Sequence, residues 1–106
     1  MKILTVCDHG NNRSVTLAHL LKYWDNDVLA VGVDTNSDRT LEMLYDWADY
    51  IITTDSTQVI PDKYQYKTKM FYVGPDVFPR PLNKELMNIF KGYLKENKNW
   101  LCQKSK

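Results

Sequence analysis

The sequence predicts an α/β fold, a four-stranded parallel sheet with helices on both faces. Three observations predict it. Four short apolar runs alternate with stretches whose apolar residues recur at helical spacing. Helical crossovers between strands favour parallel pairing, and parallel sheets are covered on both sides. The composition is that of a folded domain: 43% hydrophobic, 25% charged, and only four glycines and four prolines in 106 residues, unlike disordered or collagen-like chains. A single domain spanning 1–106 is expected.

The elements follow in order. Lys2 to Val6 reads as the first strand. Ser14 to Trp24 reads as a helix with Leu17, Leu20, Leu21 and Trp24 on one face. Asp27 to Val33, rich in Val and Leu, is the second strand. Ser37 can cap a helix whose core face is Leu41, Leu44, Tyr45 and Ala48, with Asp38 suited to its first turn. Asp49 to Thr53 is the third strand. Ser56 to Tyr64 is irregular or briefly helical and is broken by Pro61. Thr68 to Val73 is the fourth strand. Gly74 to Pro81 holds three prolines and reads as a loop. Asn83 to Lys98 is the last helix, with Leu86, Ile89, Phe90, Tyr93 and Leu94 at helical spacing. Trp24, Phe90 and Tyr93 are expected in the core, and His19 at the surface.

Several function classes are disfavoured. The longest apolar stretch, Val28 to Val33, has strand length and contains Gly32, far short of the ~18 residues of a membrane span, so no membrane partner is expected. Met1 to Val6 is too short for a signal peptide, which points to a cytoplasmic location. Two cysteines do not make a disulfide framework. No His, Cys, Asp or Glu cluster has metal-ligand spacing and no glycine-rich nucleotide loop occurs, so neither metal nor cofactor is expected. Charge is uneven: residues 1–60 balance to −5 and residues 61–106 to +6. The basic half reads first as a solvated lysine-rich helix face, and nucleic acid is not the expected partner.

In parallel sheets, sites form beyond the carboxyl ends of the strands. That rule selects Cys7 to Arg13, Asp34 to Ser37, Asp55 to Ser56, and Gly74 to Arg80. The first is the most informative. In Cys7-Asp8-His9-Gly10-Asn11-Asn12-Arg13-Ser14 a cysteine ends a strand, five residues follow, and Arg-Ser opens a helix. A loop of this length can turn successive backbone N–H groups inward as an anion nest. The helix start adds its positive dipole end. Arg13 can grip two phosphate oxygens with its planar fork, and Gly10 permits a positive φ where the loop turns. The same field favours the thiolate of Cys7, and Ser14 can donate a hydrogen bond to the sulfur. Residues Asp8, His9, Gly10, Asn11, Asn12, Arg13 and Ser14 are therefore the candidate phosphate cradle. A phosphate or sulfate ion is its expected occupant, and Cys7 is the candidate nucleophile. The competing reading is a buried strand cysteine followed by an incidental arginine.

This loop, its place near the N-terminus and the β-α order resemble the low-molecular-weight protein tyrosine phosphatases and their arsenate reductase relatives. The short length is closest to the compact predicted tyrosine-phosphatase branch, in which a segment similar to Leu44-Tyr45-Asp46-Trp47-Ala48-Asp49-Tyr50-Ile51-Ile52 leads into the third strand. The chain departs from the family pattern at four places. Gly10 stands where a bracing Asn is usual, leaving Asn11 or Asn12 to brace the loop. Asn12 stands where a second, protective cysteine often lies. Val15 replaces a proline, and His9 a small residue.

The resemblance implies hydrolysis of phosphomonoesters, phosphotyrosine foremost, through a cysteinyl-phosphate. The substrate would be a phosphorylated protein or small phosphomonoester. The resemblance also implies an acid, since an unprotonated oxygen leaves poorly, on an Asp in the loop after the fourth strand. Asp76 is the carboxylate of that loop, with a turn-forming Asp as the bland reading. Asp34 and Asp55 are the reserves, and Asp8 is unsuited because its charge opposes a dianion. Phe78, Tyr45 or Trp47 can wall the pocket, although Tyr45 at helical spacing reads as packing.

Three alternatives stand beside this reading. Arsenate reduction needs relay thiols, and only Cys102 in a charged tail is on offer. A sugar-phosphotransferase-type phosphocarrier generally lacks the closing arginine. The third is a phosphate-binding module without turnover.

Overall fold

The computed structural model describes residues 1–7, 13–22, 26–54, 60–72 and 83–99. It contains the predicted sheet. Strands β1 (Lys2–Cys7), β2 (Asp27–Gly32), β3 (Tyr50–Thr53) and β4 (Thr68–Met70) lie in the order β2-β1-β3-β4, and every pairing is parallel. Helices α1 (Arg13–Lys22), α2 (Asp38–Trp47) and α3 (Lys84–Glu96) and a 3₁₀ helix (Asp62–Lys67) complete the fold.

Side chains alternate across β1 as the pleat requires. Ile3 joins Leu17, Leu21, Ile52, Phe71, Leu86 and Phe90 in a core under α1 and α3. Leu4 and Val6 join Val31, Leu41, Tyr45, Ile51, Ile60 and Tyr64 in a second core under α2 and the 3₁₀ helix. Both faces of the sheet are thus covered, except at its edges, where Leu29 of β2 is 45% and Met70 of β4 46% exposed.

The helix starts follow the residues available to cap them. Ser37 accepts from Thr40 N–H at 3.2 Å. Asn83 accepts from Glu85 and Leu86 N–H at 3.0 and 3.2 Å. Each satisfies donors that a helix start leaves open. Pro61 does not break a helix; it opens one. Its φ of −56° suits the start of a helix, where no N–H is needed. The helical segment accordingly runs to Lys67 rather than ending at Tyr64. Buried Lys67 donates to Ala48 C=O at 2.7 Å, tying the end of the 3₁₀ helix to the approach to β3.

The fourth strand is shorter than expected. Phe71 N–H still donates to Thr53 C=O at 2.8 Å, after which the chain leaves the sheet. Tyr93 of α3 stacks on Phe71 with ring centroids 5.0 Å apart and donates to Tyr72 C=O at 2.5 Å, fixing that exit. Val73 and the proline loop lie outside the described residues, as do Trp24 and Cys102. His19 is half-buried rather than at the surface, because it lies beside Leu29 and Ala30 at the β2 edge of the sheet.

Candidate active site

The strand order creates a switch point. From β1 the chain passes to β2 on one side, and β3 then returns to the other side of β1. Open α/β sheets bind ligands beyond the carboxyl ends of the strands at such a point. Here that position is the end of β1 and β3, occupied by Cys7, Thr53 and Thr54.

β1 runs one residue further than the sequence suggests, because Cys7 still pairs with Gly32 and its C=O accepts from Val33 N–H at 3.0 Å. This holds the Cys7 backbone rigidly and turns its side chain toward α1. Cys7 is 3% exposed, and its thiol donates to Ser14 Oγ at 3.1 Å. Once the thiol loses its proton, the same hydroxyl can donate to the sulfur. Ser14 is fully buried, and Arg13, the first residue of α1, is 3% exposed. The positive end of the helix dipole and a buried guanidinium therefore share one turn with the group that touches Cys7.

A feature the sequence reading missed lies just beneath. Among the described residues, the buried polar or charged side chains are Thr5, Arg13, Ser14, Thr16, Thr53, Thr54 and Lys67. All but Lys67 gather around the first turn of α1 or the carboxyl ends of β1 and β3. Thr5 Oγ1 donates to Ser14 C=O at 2.8 Å. Thr54 donates to Val6 C=O through its N–H at 2.9 Å and its hydroxyl at 3.2 Å. A threonine between Leu4 and Val6, inside an apolar strand, was the available signal.

The remaining candidates separate. Asp34 is exposed just past β2, where Thr35 Oγ1 and Asn36 Nδ2 both donate to Gly32 C=O, at 3.3 and 2.8 Å, and tighten the turn. Asp8, His9, Gly10, Asn11 and Asn12 lie outside the described residues, as do Asp55, Asp76 and Phe78. Tyr45 is core. It is 3% exposed and tilted against Tyr64 with centroids 5.3 Å apart. Burial raises its phenol above the ordinary value, with the Asp38 and Tyr64 charges adding to the effect.

Trp47 cannot wall the pocket. It lies 5.9 Å from Lys2 Nζ, at the start of β1, whereas Cys7 ends that strand about 16 Å away by strand rise. Among the described residues no group of three or more His, Cys, Asp or Glu is placed to hold a metal, and no helix is long and apolar enough to cross a membrane.

The fold and site define an α/β protein with a buried thiol and a buried arginine at the junction of a central strand and its following helix. No protein-family model, curated protein or solved structure matches the chain.

Proposed function

We propose that this chain is a cysteine-dependent phosphomonoester hydrolase of the low-molecular-weight tyrosine phosphatase type, cytoplasmic and directed to phosphotyrosine. The observation that supports it best is the buried Cys7–Ser14 contact at 3.1 Å, with Arg13 beside Ser14 at the head of α1. A purely structural cysteine needs neither a buried hydroxyl against its sulfur nor a buried guanidinium in the same turn.

In this reading Arg13 and the amides of residues 8–12 hold the phosphoryl oxygens and stabilise charge in the transition state. The Cys7 thiolate attacks phosphorus in line, forming an S–P bond as the P–O bond to the leaving group breaks. Asp76 gives its proton to the departing oxygen. A water then attacks phosphorus, Asp76 takes the water's proton, and the S–P bond breaks to return the thiolate and release inorganic phosphate. Ser14 donates to the sulfur whenever it carries charge, at the start of attack and at departure.

The test is hydrolysis of a generic aryl phosphate by the wild type and by Cys7→Ser. The reading requires turnover in the first and its loss in the second, with phosphate binding retained. Retained turnover in Cys7→Ser defeats it. Phosphate binding without turnover in the wild type leaves a binding module.

A further inference from the structure

We propose that Thr5 is a positioning residue, which sets the Ser14 hydroxyl against the Cys7 sulfur by pinning the first turn of α1 to the central strand. The proposal rests on the hydrolase reading only for its consequence in turnover; the thiol chemistry follows from the geometry.

Three observations carry it. Thr5 is fully buried and stands two residues before Cys7, so both side chains face α1. Its hydroxyl donates to Ser14 C=O at 2.8 Å, a bond across nine residues that crosses from strand to helix. Ser14 is itself fully buried, with its Oγ 3.1 Å from Cys7 Sγ. Thr5, Ser14 and Cys7 thus form a short closed circuit. The strand fixes Thr5 relative to Cys7, Thr5 fixes the backbone of Ser14, and the Ser14 side chain returns to Cys7.

The bond is not required to build the helix. A carbonyl in a first helical turn accepts from the N–H four residues on, which for Ser14 is Ala18. The Thr5 hydroxyl is a second donor to that oxygen. Removing it therefore leaves no orphaned carbonyl. What it removes is the fixed register between the turn and the strand. Valine has nearly the shape of threonine and fits the β1 position as well, but its methyl replaces a hydroxyl that lies 2.8 Å from the Ser14 carbonyl, so Thr5→Ala is measured beside Thr5→Val.

The experiment measures Cys7 alkylation by iodoacetamide at fixed pH, in a Cys102→Ser background that leaves Cys7 as the one thiol of the chain, together with kcat on an aryl phosphate. Thr5→Val should slow alkylation roughly 3- to 10-fold, the scale of one intramolecular hydrogen bond, and lower kcat by a similar factor. Thr5→Ser keeps the hydroxyl and should restore both. If Thr5→Val does not fold, Thr5→Ala removes the same hydroxyl without adding bulk and gives the same comparison.

Wild-type alkylation in Thr5→Val overturns the proposal, even if thermal stability falls. So does an equal loss in Thr5→Ser, which would assign the effect to the methyl group. Absence of hydrolysis in the wild type, with alkylation still responding to Thr5→Val and rescued by Thr5→Ser, defeats the hydrolase reading and leaves the positioning role standing.

Discussion

Ser14→Ala removes the hydroxyl that faces the Cys7 sulfur and almost nothing else. The contact it deletes is 3.1 Å long, between a fully buried serine and a cysteine 3% exposed, so water cannot take over the role. In the resting thiol the loss is small, since S–H is a weak donor. Once the sulfur is charged, the missing hydrogen bond is one to an ion, worth about 1.5–3 kcal/mol. That corresponds to a loss of roughly 10- to 150-fold in the steps that form or expel the thiolate. The assay is single-turnover hydrolysis of an aryl phosphate, which separates attack on phosphorus from breakdown of the intermediate. Both phases should slow, while the thermal midpoint shifts by only a few degrees. A loss below about threefold in both phases, with the protein folded, would show that Ser14 does not serve the charged sulfur.

Three further outcomes are expected. Arg13→Lys keeps the charge but loses the two-pronged fork, and kcat/KM should fall by about 10²–10³; near wild-type kinetics would place the phosphoryl oxygens elsewhere. Asp76→Asn should slow phosphotyrosine hydrolysis strongly and an aryl phosphate with a very acidic phenol much less, an equal loss on both indicating a structural role and no loss on either shifting the search to Asp34 and Asp55. The buried Tyr45 hydroxyl makes no hydrogen bond among the described residues, so Tyr45→Phe should raise stability by about 1 kcal/mol in denaturant titrations at neutral pH. Its phenol is raised from the ordinary 10.0, first by burial. The unfolded chain therefore ionises before the folded one, and stability present below pH 10 is lost as pH rises through the folded value. Tyr45→Phe should flatten that alkaline limb, and an unchanged limb would contradict the assignment.

Much of the fold is legible because local signals agree with it. β1 is apolar from Ile3 to Cys7 but for Thr5, and Ser37 and Asn83 stand where helix caps belong. What stays hidden depends on partners distant in sequence. Thr5 is a good strand residue on any reading, and only the docking of α1 nine residues later shows what its hydroxyl holds. Pro61 can end a helix or begin one, and the neighbours of Ile60 and Tyr64 in the core decide. β4 stops at Met70 although Phe71 and Val73 suit a strand; Phe71 N–H still donates to Thr53 C=O, but the Tyr72 C=O that follows is taken by Tyr93 of α3. Trp47 shows a different limit. Helical phase puts it near the core, but a helix that crosses back between parallel strands ends at their amino-terminal side, and Trp47 is its last residue. That argument was available from the sequence once the crossover was assigned. The meeting of Cys7 with Ser14 at the start of α1, beside Arg13, was legible in the sequence, since strand end, loop length and helix start are all local.

The central claim is that phosphorus passes through a bond to Cys7. Rapid acid quenching during turnover of an aryl phosphate, followed by mass analysis of the peptides, tests it most directly. The account predicts a phosphorylated peptide containing Cys7, formed at the rate of the phenol burst and missing in Cys7→Ser. Steady turnover with no phosphorus on Cys7 at any time after mixing, or with it on another side chain, would contradict the account.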